Sequence, residues 1–367
     1  MALTKDGSML CSSCVPCCNA TFTNMQQLEC RNEIASARAR YSHWRSVALS
    51  FTVDGNLLPA PPASSESCDT EAEAWDAVAL RMRGIAGSAS CKKQRIGPTG
   101  GYCLSSHKAR KDGNDCLSEQ LAISLHTQAF TNNLTLSNVS VLDLGCGVGQ
   151  YGSWFRKHAP AVKWTGVDGA ENVEQATNGT VTFVDLTEGL PRSIRRSSYD
   201  WVMSLEVAEH IPRAGEPAYI HAMASMAQRG VVLSWAHPGQ LGAKGAKHVN
   251  TQAAPYVSCA MQLVGFDRDP YMQRRLKLGT RESTMPCPWL GPNMMVFVRQ
   301  RRPRTQQEKR LRLLALLRQP MSPEFARLYL ELTSEVCRYS PCHLSPASRC
   351  GTVGRMFDRT TLNYSKS

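Results

Sequence analysis

No run of about 18 apolar residues occurs anywhere in the sequence, so a membrane-spanning helix is not expected. The start, MALTKDGSMLC, lacks the basic and apolar regions of a secretory signal, which points to a cytoplasmic chain. An internal repeat is also missing, which sets array architectures aside. The 15 cysteines are an odd number, so they cannot all pair within one chain. Those cysteines and five Asn-x-Ser/Thr sequons, at Asn19, Asn133, Asn138, Asn178 and Asn363, keep the secretory pathway open as an alternative.

What is present suits a globular protein. With 367 residues, 42% hydrophobic and 20% charged, the chain has material for one full α/β domain with terminal additions. The formal charge of +12 is unevenly spread: Arg299 to Arg318 holds eight basic residues against Glu308, a local +7 that leaves +5 for the rest. That segment is a candidate surface for RNA or acidic protein, although a basic amphipathic helix docked through Leu311, Leu314 and Leu317 is the simpler reading.

Residues 1–95 mix Cys, Ser, Pro and Ala without sustained periodicity, and LLPAPPASSES reads as a linker, so this region is expected to be loosely ordered. Leu117, Leu121, Ala122, Leu125 and Ala129 then repeat at helical spacing behind the capping candidates Asn114 and Asp115. From Val139 onward short β-rich runs, VSVLDL, VKWTGVD, TVTFVD, YDWVMSL and RGVVLSWA, alternate with helical stretches. Such alternation implies a parallel sheet with ligands at the carboxyl ends of its strands. GFDRD and NMMVFVRQ can supply a closing pair of strands, and QQEKRLRLLALLRQ and PEFARLYLELTSEV two further helices.

VLDLGCGVGQYG sets Gly145, Gly147 and Gly149 directly after a buried strand, where the lack of side chains lets the backbone approach a ligand closely. Gly147, Gly149 and Gly152 also satisfy G-x-G-x-x-G, and Asp168 lies about 20 residues on, so a nicotinamide dinucleotide is a second candidate. Charge separates the two. A dinucleotide brings a pyrophosphate, which a neighbouring carboxylate repels, whereas S-adenosylmethionine brings a sulfonium and an ammonium, which Asp143 attracts. Asp168 is placed to accept both ribose hydroxyls and Asp185 the adenine amino group.

Together, VLDLGCGVGQYG, GVDGAENV, FVDLTEGLP, YDWVMSLEVAEHIP and RGVVLSWAHPGQ resemble the ordered motifs of the class I, seven-stranded methyltransferases over residues 115–300. GGYCL and NMMVFV resemble flanks of uncharacterised members of that group. The resemblance implies a cofactor site at Asp143, Gly145, Cys146, Gly147, Gly149, Asp168, Gly169, Asp185, Leu186 and Leu205. Cys146 inside the loop reads as a small packing residue, not a nucleophile.

After the fourth strand, Glu206, Glu209 and His210 have i, i+3, i+4 spacing, so one helical face can present all three as a catalytic base or as metal ligands, with His248 as a fourth ligand. A divalent ion such as Mg²⁺ there would lower the pKa of an acceptor hydroxyl. The pattern resembles that of ubiquinone-pathway O-methyltransferases and small-RNA 2′-O-methyltransferases, but Ile211 stands where the RNA enzymes carry another histidine. In many metal-free relatives an EH pair here only caps and orients the helix. Neither an Asn-Pro-Pro-Tyr-type tetrapeptide nor a Pro-Cys nucleophile is present, which disfavours duplex-base methylation. Trp235, His237, Pro238 and Gln240 are candidates for the acceptor wall, with Trp235 equally a core residue. Cys11, Cys14, Cys17 and Cys18, with Cys30, offer thiolates for zinc but lack a second spaced pair, and Cys91 and Cys103 would pair in a secreted chain.

The expected architecture is α/β: a doubly wound, mostly parallel seven-stranded sheet over residues 96–300. A Cys-rich irregular region (1–95) precedes it, and a basic helical extension with an irregular tail (301–367) follows. The expected activity is methyl transfer from S-adenosylmethionine to a small molecule, against a nicotinamide-dependent oxidoreductase or an inactive cofactor-binding module that recruits partners.

Overall fold

The structure is a computed structural model, and it describes most of residues 31–63 and 68–93, then 103–104, 117–130, 138–191, 194, 198–238, 240, 248–278, 280, 289–301 and 307–337. Asn114, Asp115, the cysteine cluster at 11–18 with Cys30, the side chain of Cys91 and the tail beyond Cys337 lie outside the described residues. The chain divides into two compact units, Met1–Pro98 and Thr99–Ser367, so the C-terminal helices belong to the larger unit. No helix among the described residues is long and apolar enough to cross a membrane.

In the smaller unit the expectation of a loosely ordered region fails for residues 37–50 and Cys68–Lys93, which are helical. Ile34, Ala37, Tyr41, Trp44 and Ala48 recur at steps of three and four, as do Trp75, Ala79, Met82 and Ala86, and both stripes are buried. Tyr41 meets Trp75 edge to face at 5.6 Å, and Arg38 bridges to Glu71 at 2.7 Å while lying over the Trp75 ring.

The larger unit is built on seven strands: β1 Val139–Leu144, β2 Val162–Asp168, β3 Val181–Phe183, β4 Tyr199–Ser204, β5 Ala227–Ser234, β6 Phe266–Arg268 and β7 Met294–Arg299. Their order across the sheet is β3-β2-β1-β4-β5-β7-β6. β1 to β5 pair in parallel, and β7 is antiparallel to both β5 and β6. The expected doubly wound, mostly parallel sheet of seven strands is therefore what forms, with GFDRD and NMMVFVRQ as its closing pair.

Side chains alternate between the two faces because successive strand residues point in opposite directions. Leu142, Leu144, Val202, Val231, Leu233 and Phe297 enter one core with helices Glu216–Met226, Ala254–Leu263, Glu308–Leu316 and Pro323–Leu332. Val141, Trp201, Met203, Val232 and Val296 enter the other, with Glu119–Ser124, Gln150–His158 and Pro270–Leu278. Strands covered on both faces read as near-continuous apolar runs. Helix Glu119–Ser124 is capped by Ser118, whose Oγ accepts from the Leu121 amide at 3.2 Å, in place of the expected Asn114 or Asp115.

The basic helix docks as expected through the buried Leu317 and the half-buried Leu314, but not through Leu311. Leu311 is exposed, while Leu313, Leu316, Leu317 and Arg310 are buried. Arg310 shares the buried face and donates to the Gln262 carbonyl at 2.5 Å. Lys309 bonds to Glu331 and Glu335, Arg312 pairs with Glu324, and Arg299 donates to the Ala224 carbonyl at 2.6 Å. Of the eight cations, Arg299 and Arg310 are thus tied to backbone carbonyls of the fold, while Lys309 and Arg312 form ion pairs at the surface.

Candidate functional site

At the end of β1 the chain turns through Gly145, Gly147 and Gly149 with φ of +75°, +58° and +76°, the left-handed region that glycine enters without steric penalty. A Cβ on Gly145 would also lie 2.3 Å from Val207. Gly152 and Gly166 are needed for a different reason, since a Cβ on either would fall within 2.3 Å of the Trp164 ring, and the pair forms the slot that seats the indole.

Seated there, Trp164 donates from Nε1 to Asp143 Oδ2 at 3.1 Å. Asp143 is buried, and desolvation pushes its pKa up to about 7 despite the indole, with the Asp168 charge adding to the rise. Asp168 accepts from the Gly147 amide at 2.7 Å and the Ala170 amide at 2.8 Å, so it braces the glycine turn while standing at the end of β2. Burial raises its pKa too, against those two bonds. Both carboxylates raise the pKa of the buried Cys146 thiol, after desolvation, which leaves that thiol protonated as befits a packing residue. Asp143 and Asp168 therefore converge on the turn.

Asp185 lies two residues past the end of β3, on the same edge of the sheet, since Asp168 pairs with Phe183. Its Oδ1 closes a turn by accepting from the Thr187 amide and hydroxyl at 2.9 and 2.6 Å. Leu186 turns its side chain into the core, and Leu205 is half-buried against the other core. A contact that sequence reading did not draw is Leu104 of GGYCL, which packs with Cys146 and Ala170 and receives the Asn172 side chain on its backbone, at 2.9 Å for N–H to Oδ1.

Beyond β4 the expected helical face does not form. Only Ala208–His210 is helical, as a 3-10 turn, and Glu206 precedes it at φ +58°. A non-glycine residue in that region is strained, and strain of this kind collects at functional sites. The conformation is held by the Glu206 amide donating to Ser234 Oγ at 2.7 Å and by Asn293 Nδ2 donating to Glu206 Oε1 at 3.1 Å and to Gln240 Oε1 at 2.8 Å.

The turn nevertheless brings acid and imidazole groups together. Ligand atoms of Glu209, His210 and His248 all lie within 4.8 Å of one another. The two rings meet edge to face at 5.1 Å, and the Val249 and Asn250 amides donate to the Glu209 carbonyl at 2.8 and 3.0 Å, which fixes the His248 segment to the turn. Glu209 is fully buried, yet neither carboxylate oxygen has a hydrogen-bond partner among the described residues. The Ala236 amide and the Glu206 carboxyl lie close enough to act on its charge without bonding geometry. Desolvation first, then the Glu206 charge, raise the pKa of Glu209; desolvation raises that of Glu206, against Asn293 and Ser234.

Of the proposed acceptor wall, Trp235 is instead a core residue. It is buried, donates from Nε1 to the Asn250 carbonyl at 2.6 Å and packs against Tyr219. His237 and Pro238 are exposed, and Gln240 is tied to Asn293. Sequence reading missed Asn293, Ser234, Asn250 and Glu216. Ser234 ends β5, Asn293 directly precedes β7, Asn250 lies in the segment before helix Ala254–Leu263, and Glu216 opens the helix Glu216–Met226.

No protein-family model matches the chain, and no curated protein matches its sequence. Among solved structures, the chain is similar to magnesium protoporphyrin IX methyltransferase from Synechocystis PCC 6803 with bound S-adenosylhomocysteine, at 19% identity over 59% of this chain and 94% of that one, TM-score 0.34. It is similar to the plantazolicin methyltransferase in complex with a monoazolic desmethylPZN analog and S-adenosylhomocysteine, at 11% identity over 60% and 96%, TM-score 0.39. A third is an amino pentose methyltransferase from Micromonospora echinaspora, at 17% identity and TM-score 0.30, where the match covers 38% of this chain and 60% of the length of that one.

Proposed function

We propose that the chain transfers the methyl group of S-adenosylmethionine to an oxygen or nitrogen of a small molecule. The observation that carries this reading is electrostatic: two buried carboxylates, Asp143 and Asp168, converge on a glycine turn at the carboxyl edge of a parallel sheet. Such a crevice favours a cationic nucleoside and repels a pyrophosphate. Gly152, which completed the dinucleotide pattern, is explained by the seat of Trp164, so the glycines favour neither cofactor. The antiparallel β7 beside β5 also departs from the all-parallel six-strand order of dinucleotide-binding folds.

In this reading Asp168 takes the ribose hydroxyls through its remaining lone pairs, Asp143 supplies negative potential near the sulfonium, and Asp185 receives the adenine amino group. The cofactor, when bound, supplies a carbon already activated for in-line displacement. The protein's own work is alignment of the acceptor and removal of its proton. Burial raises the pKa of Glu206 and of Glu209, which makes each a stronger base for that proton than an exposed carboxylate would be.

Glu209, His210 and His248 fit a divalent ion as a second feature of the same site. A buried carboxylate with two unpartnered oxygens beside two imidazoles is a donor set that a cation completes. An ion held there would lower the pKa of an acceptor hydroxyl. Labelled cofactor incubated with a metabolite extract, with and without chelator, tests the whole reading: a labelled small-molecule product is expected, and chelator should abolish it. Glu206→Ala should lower its formation by about 10²-fold or more while cofactor affinity stays within twofold. Parental turnover in that variant would remove Glu206 from the chemistry.

A further inference from the structure

Glu216 opens the helix Glu216–Met226 and is fully buried. Four side chains donate to it. Tyr256 and Tyr329 donate their hydroxyls to Oε1 at 2.5 and 2.7 Å, the Arg213 guanidinium joins them there, and Asn250 Nδ2 donates to Oε2 at 2.9 Å. Arg213 continues to Thr333 Oγ1 at 3.0 Å. A buried carboxylate needs such donors to offset its desolvation, so it draws together whatever carries them.

What it draws together is the candidate site and the C-terminal helices. Asn250 adjoins Val249, and the amides of both hold the Glu209 carbonyl; the Asn250 carbonyl in turn accepts from Trp235 at 2.6 Å. Tyr329 and Thr333 come from the last described helix and the turn after it. That end of the chain is closed covalently: Cys259, beside Tyr256 on helix Ala254–Leu263, forms a disulfide with Cys337, 78 residues later. Cys259 is buried, and Cys337 is half-buried.

We propose that residues 323–337 are a redox-sensitive clamp on the candidate site, in which Glu216 is a positioning residue that sets the 248–250 segment against Glu209 and the Cys259–Cys337 bond holds the outer arm. The bond is opened by a dithiol reductant. One of its thiolates attacks the Cys337 sulfur and releases the Cys259 thiolate. Its second thiolate then displaces Cys337, leaving two protein thiols, which carry the reductant's two protons, and a disulfide in the reductant. With the arm released, Tyr329 no longer completes the donor set around Glu216, Arg213 loses the Thr333 hydroxyl as an acceptor, and the grip on Asn250 weakens.

The proposal rests on reading Glu209, His210 and His248 as the site, yet its test needs neither acceptor, cofactor nor ion. Amide hydrogen exchange of the full chain is compared in the oxidised form, after reduction confirmed by thiol titration, and in Cys259→Ser/Cys337→Ser. Exchange at Val249 and Asn250 should accelerate at least tenfold in both opened forms, with the β1 amides unchanged. Tyr329→Phe, which keeps the ring and removes one donor, should accelerate the same two amides in the oxidised protein. Unchanged exchange at Val249 and Asn250 after full reduction overturns the proposal. So does an acceleration that spreads equally to β1, because it reports general unfolding and no clamp. Failure of the methylation assay alone leaves these exchange rates, and what they say about the clamp, untouched.

Discussion

Glu209→Met is expected to give a protein that is more stable than the parent and close to inactive. The parental carboxylate is buried with both oxygens unpartnered, an arrangement that costs about 1–3 kcal/mol when nothing external completes it. Methionine fills a similar volume without that cost, so unfolding of the ligand-free variant should need about 1–3 kcal/mol more. The gain depends on pH with a definite sign. Burial raises the Glu209 pKa, so the parent is favoured while that carboxyl is protonated and loses stability as pH rises from the ordinary glutamate range through the raised value. The variant has no such slope, and the difference should widen with pH by up to about 1.4 kcal/mol per unit in that window. Turnover should fall about 10²- to 10⁴-fold with cofactor affinity intact. Denaturant titrations at acid and alkaline pH measure the first effect. A variant that is less stable than the parent at every pH would show that Glu209 is a structural anchor.

Asp143→Asn should weaken S-adenosylmethionine binding and remove its pH dependence. At an effective dielectric of about 20 and a separation of about 8 Å, one carboxylate attracts a cation by about 2 kcal/mol, roughly a 30-fold change in affinity. Because burial pushes the Asp143 pKa up to about 7, the group is half protonated near neutrality in the ligand-free protein. The ionised form binds a cation more tightly, so parental affinity should rise with pH through about 7, level off above it, and fall below it toward a floor about 30-fold lower. S-adenosylhomocysteine, which lacks the sulfonium, should show a shallower profile. Calorimetry at several pH values separates these cases; a flat parental profile would place the Asp143 carboxylate too far from the bound cation to matter.

Much of this was legible in the sequence, for identifiable reasons. Strands buried on both faces appear as apolar runs such as VSVLDL, and the left-handed turn of Gly145, Gly147 and Gly149 demands glycine, so the strands and the cofactor turn announce themselves. The convergence of Asp143 and Asp168 follows from their places at adjacent strand ends. Other features were hidden. The N-terminal helices carry a correct three-and-four spacing, but half of the stripe Trp75, Ala79, Met82, Ala86 is alanine, which adds little hydrophobic contrast. Spacing suggested a helical face for Glu206, Glu209 and His210, whereas Ser234 and Asn293 hold Glu206 in a left-handed conformation that no local pattern encodes. Glu216 was invisible because its four donors lie 3, 34, 40 and 113 residues away. Only the tertiary fold brings those groups into one place.

The most direct test of a crevice built for a cationic, phosphate-free nucleoside is a pair of calorimetric titrations of the full chain at pH 8, one with S-adenosylmethionine and one with NAD. Saturable binding of S-adenosylmethionine and no heat with NAD is the result expected from Asp143 and Asp168 at the glycine turn. Saturable binding of NAD with no response to S-adenosylmethionine would contradict it.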